Sequence, residues 1–256
     1  MRLAAGLLMV AASLFTAMPA SAQDIRDGEA LLTAMHARYE NSWYSNVTFT
    51  ERATTLNPDG ASKNEIWYEA LELPGKLRIN IGPASEGNGM LFLDNTLTRF
   101  KQGKIVQTRP FVHILLVLGF DIYRQDAKTT IDEVKAQGFD LKQIHEEKWE
   151  GQDVYVVGAA KGDLKSKQFW IEKKRLLFLR VLEPDEQDAT KMQDNRFSDY
   201  RRLPGGWIAA HVDFYKGGKM AFTEQYWDIK ENVKLEPDFF EPARFEQDFG
   251  KNEQNK

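Results

Sequence analysis

The chain has 256 residues, 42% of them hydrophobic, with 16 Phe, 8 Tyr and 6 Trp, no cysteine and a net charge of −4. Without cysteine there are no disulfides, thiol nucleophiles or thiolate metal sites, and the interspersed basic and acidic residues argue against a nucleic-acid groove. The length suits one large all-β domain or two small ones.

Arg2, an apolar run from Leu3 to Val10 broken further on by Ser13, Thr16 and Pro19, and then Ala20-Ser21-Ala22 open the chain. A charged start, a short apolar core and a small-x-small ending are the parts of a secretory signal peptide. Cleavage after Ala22 is expected, leaving 234 of the 256 residues from Gln23 onward. No cysteine stands there to carry a lipid, and no later run approaches the ~20 apolar residues of a membrane span. The expectation is a soluble, exported chain.

Asp24 to Tyr39 reads as an amphipathic helix, because Leu31, Leu32, Met35 and Tyr39 recur at three- and four-residue spacing. His36 and Glu40 are four apart and read as an ordinary helix pair, since two groups do not make a metal site. Val47 to Thr55, Glu65 to Leu73 and the alternating Leu77, Ile79 and Ile81 read as strands, separated by Asn57-Pro58-Asp59-Gly60 and Pro74-Gly75. Three shorter strands at 90–93, 96–101 and 105–109 are punctuated by Gly87-Asn88-Gly89, Asp94-Asn95 and Gln102-Gly103-Lys104.

Pro110 to Phe120 is the most concentrated apolar block after the leader. Pro110 is placed to open a helix and Gly119 to close one in the left-handed conformation. Such a helix is apolar on all sides and must be covered all round. A polar helical patch, Thr129 to Ala136, precedes seven further strands at 139–147, 153–160, 166–172, 176–183, 190–200, 206–216 and 219–229. Several carry apolar residues on both parities, such as Phe169 and Ile171 against Trp170, so one sheet face meets a core and the other is partly covered. Pro237 to Phe245 is expected to dock through Phe239, Phe240 and Phe245, and 251–256 is a polar tail. No linker divides the chain, so residues 23–250 are expected to form one domain.

The components of a hydrolytic site are missing: there is no Gly-x-Ser-x-Gly elbow and no His-Glu-x-x-His helix. The four histidines, His36, His113, His145 and His211, are scattered. His211 and Asp213 share a strand face and read as surface neighbours, while His113 reads as a core histidine.

The order of parts resembles the periplasmic outer-membrane lipoprotein-sorting family, the LolA-like carriers. A leader and a helix are followed by strands with a Leu-Pro-Gly-Lys-Leu-Arg turn at Leu73 to Arg78, a short strand pair, an apolar mid-chain helix, more hairpins and a Phe-rich end. The resemblance implies an α+β, mainly antiparallel fold: a single strongly curved sheet, an incomplete barrel, with a few helices packed in its concave face. It also implies an apolar cavity between them that takes up acyl chains. In those carriers an arginine immediately precedes the turn proline and helps to close the helical lid. Here that position is Leu73, a departure that bears on lipoprotein cargo and on its handover.

These readings lead to an expected periplasmic carrier or binder of lipidated or hydrophobic cargo, monomeric, without a cofactor or metal, and not an enzyme. The cavity is expected to draw on Phe111, Ile114, Leu115 and Leu118 from the apolar helix and on Leu31 and Met35 from the first helix. Trp67, Leu77, Ile79, Phe92 and Phe169 are expected to face them from the sheet. The expected partners are the acyl chains of a lipid or lipoprotein and an envelope protein as donor or acceptor. The alternative is a non-enzymatic periplasmic sensing or scaffold module that binds a protein partner.

Overall fold

The computed structural model describes residues 25–249, so the leader, its cleavage point and the polar tail lie outside the described residues. Thirteen strands form one antiparallel sheet. They are β1 (Asn46–Leu56), β2 (Ser62–Glu72), β3 (Lys76–Ile81), β4 (Gly89–Leu93), β5 (Thr96–Lys101), β6 (Lys104–Pro110), β7 (Ile144–Trp149), β8 (Gln152–Val157), β9 (Gln168–Glu172), β10 (Leu177–Pro184), β11 (Met192–Leu203), β12 (Gly206–Lys216) and β13 (Lys219–Glu231). Their order is 6-5-4-3-2-1-13-12-11-10-9-8-7. Two meanders thus meet where β1 pairs with β13, Glu51 opposite Tyr226 and Ala53 opposite Glu224. Strands β6 and β7 are free edges, so the sheet is not closed.

Laid flat, thirteen strands would span roughly 60 Å. One apolar cluster nevertheless contains Leu77, Phe92 and Leu97 from one meander and Val157, Phe169 and Phe178 from the other. The sheet therefore curls around helices α1 (Gly28–Tyr39), α2 (Ile114–Gly119) and α3 (Ala127–Ala136). The incomplete barrel implied by the resemblance is the observed architecture.

The first helix begins later than its spacing predicts. Asp27 stands outside it in extended conformation and its carboxylate accepts from the Ala30 N–H at 2.8 Å, which satisfies an amide the helix cannot. An aromatic knot holds α1 down: Trp43 stacks on Tyr123 at 4.0 Å, and Tyr39 meets both rings edge-on. Residues 139–143, read from the sequence as the start of a strand, form a turn instead. Asp140 caps that turn at the Lys142 N–H, and Phe139 and Leu141 are buried in the core.

The apolar block is split between two states. Pro110 ends β6 rather than opening a helix, and the Phe111 N–H continues the strand's bonding by donating to Asn95. The helix starts only at Ile114, with His113 Nδ1 accepting from the Leu116 N–H. Gly119 is its last residue and is not left-handed; the rings of Phe197 and Phe178 come within 3.4–3.7 Å of where its Cβ would sit. Six residues make little more than one turn, too short to hold on its own. Packing holds it, since Leu118 and Val117 are buried and each fully buried side chain of this kind is worth about 1.5–3 kcal/mol.

The convex face is covered in part by the chain's end. Phe239, Phe240 and Phe245, the last in α4 (Ala243–Asp248), pack on Ala70, Leu91 and Phe100, with Phe245 stacked on Phe100 at 4.0 Å. Arg78 lies buried between the Phe239 and Phe245 rings and bonds Asp248 at 2.9 Å. Gly89 permits this approach, because a Cβ there would lie 2.8 Å from the Phe245 ring.

Candidate functional site

Under the short helix α2, toward the β1–β4 side of the sheet, lies a cavity of about 150 Å³. Its sheet walls are Phe49, Trp67, Leu71, Leu77, Ile79, Met90 and Phe92, joined from the other meander by Phe197, Phe214 and Tyr226. His113, Leu115, Leu116 and Phe120 close it from the helix side. His113, Leu115 and Phe214 also line a larger groove, about 630 Å³, that runs past Phe111, Val112 and Ile114 to Lys167 and Glu183. The segment 111–116 is therefore a partition between inner cavity and outer groove.

Of the residues expected at a cavity, Trp67, Leu77, Ile79, Phe92 and Leu115 line the inner one. Phe111 and Ile114 line the groove. Leu31, Met35, Leu118 and Phe169 lie elsewhere, fully buried in the close-packed core. Leu115 and Leu118 are three apart and lie on neighbouring sides of α2; Leu115 borders the cavity, while Leu118, one turn deeper, is completely covered by the core.

His113 meets the Phe92 ring edge-on at 4.5 Å, and burial pushes its imidazole down to about 4. It is neutral at physiological pH. Leu73, in the position of the carriers' arginine, is buried among apolar residues. The link between turn and helices runs instead through Asp121, whose carboxylate accepts from the Gly75 N–H at 2.9 Å. Burial raises Asp121 to about 7 against the lowering effect of that bond.

The sequence reading missed the polar floor. Glu69 and Glu224 line the cavity, and fully buried Glu51 sits on the same sheet face, between Trp67 and Tyr226 in the strand register. Burial raises all three carboxyls, and mutual repulsion adds to it for Glu51 and Glu69; Glu224, bonded by the Tyr226 hydroxyl, is raised to about 7. Among the described residues no amide, alcohol or basic side chain donates to either oxygen of Glu51, whose hydrogen-bonding neighbour is the Glu69 carboxyl, and the indole Nε1 of Trp67 is buried without a partner. A signal was present in the sequence: Glu51 shares the parity of Val47, Phe49 and Ala53, and Glu69 that of Trp67 and Leu71. A polar residue on the core parity of a strand is the informative exception.

Two pairs stand apart. His36 and Glu40 meet at 3.0 Å on α1, and His211 bonds Asp213 at 2.9 Å on β12. Among the described residues no group of three or more His, Asp and Glu side chains is arranged to hold a metal ion. Among them, too, no helix is long and apolar enough to cross a membrane.

No protein-family model and no curated protein matches the sequence. Solved structures do match. A domain from Vibrio parahaemolyticus, assigned to outer membrane lipoprotein sorting, superposes with a TM-score of 0.54 at 16% identity, covering 86% of this chain and 98% of that one. A LolA superfamily protein from Nitrosomonas europaea gives 0.50 at 14%, covering 80% and 96%. The chain has the LolA-like fold. A DUF1329 family protein from Desulfovibrio piger shares it, with a TM-score of 0.55 at 16% identity over 84% of this chain and 95% of that one. In this LolA-like fold the open sheet supplies a concave apolar face, and the short helices decide how much of it is filled.

Proposed function

We propose that the protein is a periplasmic carrier or binder of a hydrophobic or lipidated molecule, exported by its leader and cleaved after Ala22. The observation that carries this reading is the unfilled apolar space beneath a short helix, bounded by Trp67, Leu77, Ile79, Phe92 and Leu115. Protein interiors are ordinarily packed to the density of organic crystals. The likeness of fold to a domain assigned to outer membrane lipoprotein sorting adds support.

Ligand pockets generally enclose about 300–1,000 Å³, so the inner cavity of about 150 Å³ is the contracted state. The partition 111–116 supplies the means of enlargement. Displacing Leu115 and His113 joins the inner cavity to the groove, and one helical turn can be displaced without breaking the sheet. Each methylene moved from water into that space gains roughly 0.8 kcal/mol, so an acyl chain replaces the side chains that leave. Cargo release reverses the exchange.

Organic extraction of protein purified from its native envelope, followed by lipid mass spectrometry, should recover a stoichiometric amphiphile. Stripped protein should take up an acyl-chain fluorophore. Empty protein that also rejects the fluorophore overturns the proposal. N-terminal sequencing of the exported form should begin at Gln23.

A further inference from the structure

Nothing about an acyl chain requires carboxyl groups, and an apolar cavity floor would be more stable without them. Three meet here, on the adjacent strands β1, β2 and β13. Glu69 and Glu224 are in the cavity wall, and behind them Glu51 is fully buried beside the Glu69 carboxyl, with no basic, amide or alcohol group among the described residues donating to it. Among the described residues the cavity lining contains no lysine or arginine, and its one histidine, His113, is neutral. Around the acids stand the rings of Phe49, Trp67, Phe214 and Tyr226, whose faces attract cations. The Trp67 indole N–H is a buried donor without an acceptor.

We propose that the cargo is an amphiphile with a protonated amine at one end, the ammonium seated on the Glu51–Glu69–Glu224 floor and the chain running under Leu115 toward the outer groove. This rests on the carrier reading and names its ligand class. Each ammonium proton finds a carboxylate oxygen, and charge-assisted bonds of that kind are roughly twice as strong as neutral ones. An oxygen next to the amine would accept from Trp67 Nε1. A metal ion is the wrong cation, because the three carboxyls are not placed to ligate one together.

The empty floor keeps protons. The groups facing it are Glu51 from β1, Glu69 from β2, Glu224 and Tyr226 from β13, and His113 from the partition; the acids are raised by burial, and the tyrosine is raised by burial and by the acids. An arriving ammonium displaces protons from the carboxyls to solvent, so binding is coupled to proton release.

The test compares dodecylammonium, dodecan-1-ol and dodecanoate below their micelle concentrations, by titration calorimetry on the purified protein in buffers of different ionisation enthalpy. Dodecylammonium should bind at least about tenfold more tightly than the alcohol, dodecanoate should bind weakest, and only the amine should release protons. Glu69→Gln and Glu224→Gln should each erase most of that preference, bringing the amine's affinity down toward that of dodecan-1-ol, and abolish most of the proton release. If amine and alcohol bind alike without proton release, or dodecanoate binds best, the amine assignment is overturned and the carrier reading stands. If none of the three binds, the carrier reading fails with it. Should either variant not fold, the three-ligand comparison and the proton count on the native sequence still decide.

Discussion

The two ends of the curved sheet use the same alternation of apolar residues to opposite ends. On the β8–β10 side, Val157, Phe169, Ile171, Leu177, Phe178 and Val181 are all completely buried under the helices. Toward β2–β4, Trp67 and Met90 keep part of their surface open, and the helix above them leaves a void with carboxyls at its floor. One region is closely packed with apolar side chains under the helices; the other has a cavity and buried acids. The first makes the molecule stable, and the second holds space that stability alone would have filled.

The largest effect is expected on the packed side. Phe169→Ala should cost about 3–5 kcal/mol in denaturant unfolding, because a large cavity opens where nothing can collapse. Ligand uptake by the molecules that remain folded should be unchanged. Loss of uptake without loss of stability would reverse the roles assigned to the two regions.

The acid floor gives the next effect. The raised pKa of Glu224 means that the native protein holds a proton the unfolded chain has released, so stability falls as pH rises from about 4.5 to about 7. Asp121, also raised to about 7, adds a loss of the same sign. Asp185 and Asp188, lowered to about 2 by hydrogen bonds, act only in more acid solution. Glu224→Gln should flatten the decline by up to roughly 1.4 kcal/mol per pH unit. Urea midpoints measured across that range check it, and native stability that is level or rising with pH would contradict a protonated floor.

Leu115→Ala should be milder, about 1 kcal/mol or less, because that side chain already borders empty space. Its effect should appear instead in uptake, as a shift in the chain length preferred by fluorescent acyl probes. His211→Ala, on the outer side of β12, should change stability by less than about 0.5 kcal/mol and leave uptake alone. A large effect there would point to a function on the convex face.

Much of the strand pattern was legible because it is local. Leu77, Ile79 and Ile81 alternate between two turns, and β3 follows directly from that periodicity. The limits of the apolar block were not legible in the same way. Pro110 is an acceptable helix opener, yet the ladder with β5 claims it, because the Asn95 carbonyl is available to the next N–H. The cavity residues were partly legible. Leu115 and Leu118 look alike in sequence, and only the direction from which the sheet approaches α2 separates a cavity wall from a core residue.

The amino-acid sequence by itself determined an antiparallel succession of strands, a greasy segment between two runs of them, and a Phe-rich end that docks through Phe239, Phe240 and Phe245. Periodicity and turn chemistry act over a few residues, which is why they can be read from the chain. Only the tertiary structure decided that β1 would lie beside β13, some 170 residues later, and so gather Glu51, Glu69 and Glu224 on one face. Each glutamate alone reads as one charged residue in a strand. Their burial and their shifted proton affinities arise from proximity, and proximity across the sheet is set by the fold.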